Sequence, residues 1–175
     1  MKRIHSAKII FVALFTFTIS IVNAQQTFNA IVSQDGTLSF RLPIEGLYLE
    51  ISQRGDIVGY GALLSGQISY DNSGRVERFG NISISYNNAG KMDIVGRTTI
   101  SYNSNGKIDI IDRKRISYDY NGNIDIFDRE RISYNTNGKV EIIGMSTISY
   151  NSSGFVDIIS DNKGFIIFRP KVAFN

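Results

Sequence analysis

The fold is decided by residues 100–118, which read ISYNSNGKIDIIDRKRISY and contain one full repeat and the start of the next. The triplet Ile-Ser-Tyr returns every 16 residues, and it defines units 1 to 6, which begin at Ile68, Ile84, Ile100, Ile116, Ile132 and Ile148. Self-similarity at a short fixed period is typical of repeat proteins, in which each unit buries its apolar surface against its neighbours. The sequence therefore predicts a regular array.

The tyrosine of the triplet and three further columns keep the same place in every unit. The tyrosines are Tyr70, Tyr86, Tyr102, Tyr118, Tyr134 and Tyr150. Glycines follow four residues later, at Gly74, Gly90, Gly106, Gly122, Gly138 and Gly154. Aliphatic residues or methionine come next, at Val76, Met92, Ile108, Ile124, Val140 and Val156, and a carboxylate follows each of them, at Glu77, Asp93, Asp109, Asp125, Glu141 and Asp157.

Each unit is predicted to be a β-hairpin. The sequence Ser104-Asn105-Gly106 suits a three-residue hairpin loop in which glycine supplies the positive φ. If the second loop also has three residues, Ile100 pairs with Ile110 and Tyr102 with Ile108, and these four side chains share one apolar face. A two-residue turn at Gly80-Asn81 would also fit unit 1. The three-residue register is the prediction because it separates apolar and polar faces.

The fold class expected from this pattern is all-β. We predict an antiparallel meander of 16-residue hairpin units that forms one long coiled sheet, either a roll or a flattened barrel. A parallel β-solenoid with 16-residue coils fits the same alternation and is the alternative. The Asn-Gly turns favour antiparallel hairpins.

The chain divides into four predicted segments. These are a signal peptide (1–24), degenerate N-terminal hairpins that act as a cap (25–66), the six repeats (67–159) and a C-terminal strand and cap (160–175). Turns at Gly36, Gly55 and Gly164 resemble those of the units, so the array is expected to continue in degraded form at both ends. Irregular terminal repeats protect exposed strand edges.

The N-terminus has the layout of a secretory signal peptide. Lys2, Arg3 and Lys8 precede an apolar stretch at residues 9–22, and Ala24 ends a short segment suited to signal peptidase. The apolar stretch is shorter than the roughly 20 residues of a spanning helix. We therefore expect export to the periplasm, cell surface or extracellular space, with no transmembrane segment after cleavage.

The composition limits the kinds of catalysis, metal binding and nucleic-acid binding that the chain can support. Of 19 Lys and Arg residues, three lie in residues 1–24, which leaves 16 against 16 Asp and Glu, so the mature chain is formally neutral and binding to nucleic acid is not expected. The single histidine, His5, lies in the signal peptide, and the chain has no cysteine. Nucleophilic triads and zinc sites draw on these residues. We therefore predict a non-enzymatic protein with no catalytic residues, no cofactor and no metal site.

The motif has a family resemblance. Tyr-Asn-x-x-Gly-Lys-Ile at residues 102–108 and Tyr-Asp-x-x-Gly-x-Ile at residues 118–124 resemble the YD repeats of RHS-type proteins. They are also similar to arrays in uncharacterised secreted proteins of Bacteroidetes. The resemblance implies a β-hairpin array at the cell exterior and does not imply a toxin.

Two rows of side chains are candidates for binding. One is the tyrosine column (Tyr70, Tyr86, Tyr102, Tyr118, Tyr134 and Tyr150), and the other is a turn row formed by Arg97, Arg113 and Arg129. The face assignment places the tyrosines mainly in the core. The predicted function is a structural or interaction role in the cell envelope or extracellular matrix; the alternative is a module that binds glycan or protein through its polar face or tyrosines. Candidate partners are a cell-surface glycan, a protein, or a second copy joined through sheet edges.

Overall fold

A computed structural model describes residues 28–62 and 65–171, and this part of the chain is all-β, as predicted. The predicted signal peptide lies outside the described residues. The strands are β1 (Asn29–Ser33), β2 (Leu38–Ile44), β3 (Leu47–Ser52), β4 (Ile57–Ala62), β5 (Ile68–Tyr70), β6 (Val76–Phe79), β7 (Ile82–Tyr86), β8 (Met92–Val95), β9 (Thr98–Tyr102), β10 (Ile108–Ile111), β11 (Lys114–Tyr118), β12 (Ile124–Phe127), β13 (Glu130–Tyr134), β14 (Val140–Ile143), β15 (Ser146–Tyr150), β16 (Val156–Ser160) and β17 (Ile166–Arg169).

The six units form one sheet of twelve strands, β5 to β16, which we call the array sheet. Each strand pairs with the next one along the chain, and the pairings are antiparallel. This confirms the predicted hairpin meander, and the parallel solenoid is not formed. Short turns explain the outcome, since antiparallel strands are joined by tight loops whereas parallel strands need long crossovers.

The Tyr-Asx-x-x-Gly motif builds the first turn of each unit. In unit 3, Asn103 Oδ1 accepts hydrogen bonds from the backbone N–H groups of Asn105 and Lys107, both at 3.0 Å. The Gly106 N–H donates to the Asn103 carbonyl at 2.9 Å, and Gly106 has a φ of 72°. An amide or carboxylate oxygen can therefore close this turn, which explains why the column holds only Asn and Asp. The other members are Asp71, Asn87, Asp119, Asn135 and Asn151.

The predicted register is correct at one end of the hairpin and wrong at the other. Tyr102 lies opposite Ile108, as expected, but Ile100 lies opposite Ile111 instead of Ile110. A β-bulge at Asp109 causes the shift, because the extra residue turns both Ile108 and Ile111 inward. Ile110 is therefore directed outward and is 40% exposed. The bulge residue is the member of the carboxylate column in every unit.

The second turn has two residues, so the three-residue loop predicted there is wrong. Ile111 pairs directly with Lys114 across Asp112 and Arg113. Of these two residues only the first has positive φ, as in a type II′ turn, where glycine is favoured. Three units have glycine there, at Gly80, Gly96 and Gly144. Units 3 and 4 instead place Asp112 and Asp128 at φ values of 55° and 59°.

We expect Asp112→Gly to stabilise the protein. A residue other than glycine is strained by about 1–3 kcal/mol in this conformation. Glycine relieves that strain, but it also makes the unfolded chain more flexible, which lowers stability by about 0.4–1 kcal/mol. The free energy of unfolding should therefore rise by roughly 1 kcal/mol, measured by urea denaturation. Asp112→Ala is the matched control, since it removes the carboxylate but keeps the strained Cβ and should bring no gain. A less stable Asp112→Gly variant would contradict this account.

The N-terminal hairpins form a separate sheet and do not extend the array. Strands β1 to β4 and β17 pair in the order β17-β1-β2-β3-β4, which we call the cover sheet. The turns at Gly36 and Gly55 have the predicted hairpin form. The C-terminal strand β17 likewise leaves the array and pairs with β1 in parallel. The prediction that the array continues at both ends is therefore wrong. The terminal strands pair with each other instead, and they lie over the apolar face of the array sheet.

The two sheets share one hydrophobic core. Alternate residues of β2 and β3 are buried against the inward residues of the array sheet. The ring of Phe40 in the cover sheet stacks on Phe127 of unit 4, with centroids 4.5 Å apart. Phe28 and Phe165 complete this aromatic cluster. The cover sheet is therefore what buries the apolar face of the repeats.

Among the described residues there is no helix with the length and apolar character needed to cross a membrane.

Candidate interaction surfaces

Five of the six predicted tyrosines connect neighbouring units. The hydroxyl of each donates to a backbone carbonyl ten residues earlier in the chain; Tyr102, for example, donates to Met92 at 2.6 Å. The other donor–acceptor pairs are Tyr86 with Val76, Tyr118 with Ile108, Tyr134 with Ile124 and Tyr150 with Val140. Each acceptor immediately precedes a bulge residue. The tyrosine column therefore joins each unit to the next one beside the β-bulge of the hairpin.

These tyrosine rings are partly buried against the core. Burial raises the pKa of Tyr86, Tyr102 and Tyr150 to about 12. It also raises the pKa of Tyr118 and Tyr134 well above the ordinary value. Desolvation is the main cause, because a phenolate loses its hydration when it is removed from water. The packing agrees with the core position expected from the face assignment.

Tyr70 differs from the rest of its column. Its unit is the first of the array, its side chain is 59% exposed, and it makes no hydrogen bond to the described residues. At the opposite end, the Val156 carbonyl holds the acceptor position of the column but receives no tyrosine hydroxyl from the described chain. The two ends of the array therefore present an unmatched donor and an unmatched acceptor.

The predicted arginine row lies on the two-residue turns. Arg97 and Arg113 have almost fully exposed side chains, and Arg129 is also exposed. Arg97 lies 3.6 Å from Glu45 of the cover sheet, and Arg113 lies 3.9 Å from Asp112. Exposed pairs at such distances contribute little to stability. Asn81 and Met145 occupy the equivalent positions in two other turns, so the row is confined to three units.

The opposite edge of the array, formed by the glycine turns, touches two loops of the cover sheet. We call residues 34–37 and 53–56 the cover loops. Their carbonyls accept hydrogen bonds from backbone N–H groups of units 3 to 6, in the pairs Gly55 with Ile108, Gln53 with Ile124, Gly36 with Val140 and Gln34 with Val156. These backbone bonds fix the alignment of the two sheets.

A cation follows the turn glycine in units 1, 2, 3 and 5, and in units 2 and 5 it connects that turn to the next one. Lys91 donates to the carbonyl of Gly106, and Lys139 donates to that of Gly154. Unit 4 has Asn123 at this position, and Asn123 is only 4% exposed. Gln53 of the cover loop supplies the missing donor, since its Nε2 lies 3.1 Å from both Asn123 Oδ1 and the Gly138 carbonyl.

An open groove of about 670 Å³ lies where the cation is missing. Its walls are the turns of units 4 and 5, including Tyr120 and Asn137, and the cover loop at Gln53 and Arg54. The Tyr120 side chain is 97% exposed. This groove was not predicted from the sequence, although the departures from the repeat at Tyr120 and Asn123 were its visible signal.

The outer face of the array sheet carries the carboxylate column beside a column of isoleucines. Ser85 and Ser117 donate to Asp93 and Asp125 at 2.8 and 2.6 Å, so these bulge carboxylates are held within their own units. Ile94, Ile110, Ile142 and Ile158 are exposed beside them. Within residues 28–62 and 65–171, no three His, Cys, Asp or Glu side chains are grouped so as to hold a metal ion.

The chain matches no known protein family, and no curated protein shows significant sequence similarity to it.

Proposed function

We propose that this is an exported, non-enzymatic structural or interaction protein of the cell envelope or extracellular matrix, which extends its array by joining a second copy end to end. The observation that carries the proposal is the unmatched pair at the array ends, Tyr70 and the Val156 carbonyl. A second copy placed after unit 6 would offer Tyr70 to Val156, the same bond that connects Tyr86 to Val76 within the chain.

Exposure at the edge strands supports the same arrangement. Ile68 on β5 is 43% exposed, whereas its equivalents in units 2 to 6 are buried. Ile158 on β16 is 61% exposed, against 40–41% for Ile94, Ile110 and Ile142 at the same position of inner strands. An unpaired edge strand with apolar side chains is a template for a further strand. A contact between two different edges leaves a free edge at each end, so it builds a filament unless the rotation between copies closes a ring.

Sedimentation velocity on the mature chain, residues 25–175, tests the proposal. We expect elongated species that grow with protein concentration. Ile68→Lys should leave a monomer, because it places a charge in the joint. Ile94→Lys is the matched control, since Ile94 is similarly exposed but lies on the inner strand β8, and this variant should still assemble. Circular dichroism establishes that both variants are folded.

Two results would contradict the proposal. If the wild-type protein is a compact monomer at every concentration, it has no structural role through assembly. Assembly of Ile68→Lys at the wild-type level would show that β5 takes no part in the contact.

The alternative function is a module that binds glycan or protein. The hydroxyls and ring faces of five tyrosines are engaged within the protein, so this function is better supported by the polar turn edge at the groove between units 4 and 5 than by the tyrosine column.

A further inference from the structure

The glycine turns form a long polar edge. Two residues at the tip of each turn are exposed, and they are Asn72 and Ser73, Asn88 and Ala89, Ser104 and Asn105, Tyr120 and Asn121, Thr136 and Asn137, and Ser152 and Ser153. Apart from Ala89 and Tyr120, these side chains are short amides and hydroxyls. The edge therefore carries uncharged donors and acceptors at the spacing of the repeat.

Unit 4 breaks this pattern twice at the same place. Tyr120 replaces the short residue at the tip, and Asn123 replaces the cation that connects neighbouring turns in units 2 and 5. The first change adds the one aromatic ring among the described tip residues, and the second removes an ammonium group from the groove. Both changes line the groove of about 670 Å³.

Several polar groups of the groove have no partner within the described chain. These are the Tyr120 hydroxyl, the side-chain amides of Asn121 and Asn137, and the hydroxyls of Ser133 and Thr136. By contrast, Asp119 and Asp125 are engaged by Asn123 and Ser117, and Arg54 donates to the Asn121 carbonyl. The groups free to meet a ligand are therefore mostly neutral, and each can donate and accept hydrogen bonds.

We propose that the groove between the turns of units 4 and 5 binds a neutral saccharide chain. Sugar hydroxyls also donate and accept, so they match the amides and hydroxyls of Asn121, Thr136 and Asn137. The apolar face of a sugar ring would pack on the Tyr120 ring, whose hydroxyl remains in water. The chain would run along the turn edge from one tip to the next. This inference goes beyond the structural role and does not depend on assembly.

Calorimetric titration with defined oligosaccharides tests the site. The probes are cellohexaose, laminarihexaose, maltohexaose, chitohexaose and, as the anionic comparison, the hexamer of galacturonic acid. The titration uses the mature chain carrying Ile68→Lys, which is designed to be monomeric, so that the result is independent of end-to-end joining. We expect at least one neutral hexasaccharide to bind and the galacturonic acid hexamer to bind more weakly.

Two substitutions give unit 4 the residue that other units have at the same position, and circular dichroism establishes that both variants are folded. Tyr120→Ser gives unit 4 the tip residue of units 3 and 6 and should weaken binding about tenfold or more, as truncation of a central aromatic contact does. Asn123→Lys places a cation in the groove and should also weaken binding. The matched control is Tyr60→Ala, a tyrosine of β4 that is 40% exposed and lies outside the groove, which should leave affinity unchanged. The proposal is overturned if no neutral probe binds, if the anionic hexamer binds best, or if Tyr120→Ser binds like the parent.

Discussion

Replacing Phe127 with alanine should lower the free energy of unfolding by about 3–5 kcal/mol, the usual cost of removing a buried phenylalanine side chain. Phe127 is fully buried, stacks on Phe40 and contacts Phe28. The substitution therefore opens a cavity between the two sheets at the centre of their contact. Urea denaturation followed by circular dichroism measures the loss. A destabilisation of this size is a large fraction of the stability of a typical domain.

Phe155→Ala provides the matched control for this prediction. Phe155 is the same residue type, but it lies at a turn of unit 6 and is exposed. Its removal should change stability only slightly, because little apolar surface is returned to water. Equal losses at Phe127 and Phe155 would mean that the contact between the sheets is not what stabilises the array.

Alkaline pH should unfold the protein. The pKa of Tyr102 is about 12 in the folded state against an ordinary value of 10.0, and burial raises the pKa of four other tyrosines of the column. The unfolded chain thus releases these protons first, so the stability present below pH 10 is lost as pH rises through 10 to 12 and beyond. The urea midpoint should fall steeply across this range. Tyrosinate absorbance from the buried rings should appear together with loss of β-structure.

Two tyrosine-to-phenylalanine substitutions distinguish the effect of the tyrosine column from other effects of alkaline pH. Tyr102→Phe removes one titrating group, so the urea midpoint should depend less steeply on pH than in the wild type. Tyr120→Phe alters a ring that is 97% exposed and should leave the pH dependence unchanged. A flat urea midpoint between pH 10 and 12 would contradict the coupling of these hydroxyls to folding.

Local turn chemistry made one part of the fold predictable. Asn103 and Gly106 fix the first turn through short-range bonds, so the sequence located it and paired Tyr102 with Ile108 correctly. The second turn was missed because Ile110 and Ile111 are both apolar, and alternation alone cannot tell which of them faces inward. A bulge shifts the pattern by one residue without changing composition. Glycine at positions 80, 96 and 144 was the signal for the two-residue turn.

The long-range strand pairing could not be predicted from single repeat units. Leu38, Phe40 and Leu42 alternate along β2 and are buried, but nothing local in the sequence shows that this face covers repeats far along the chain. The parallel pairing of β17 with β1 is equally non-local. For the candidate site, the core position predicted for the tyrosines agrees with their packing. Tyr120 and Asn123 were not predicted, because the columns contain only what the units share, whereas the groove lies where one unit differs.

The hydrogen bonds of the cover loops bear on how such a chain changes length during evolution. Units 3 to 6 are each matched to one carbonyl of a loop of fixed length, whereas no such bond reaches units 1 and 2 among the described residues. A duplication of 16 residues inside units 3 to 6 would leave one repeat without its carbonyl and displace the others. The same duplication ahead of unit 3 would lengthen only the part that these bonds do not hold. Gain and loss of repeats in related chains should therefore be concentrated at the N-terminal end of the array.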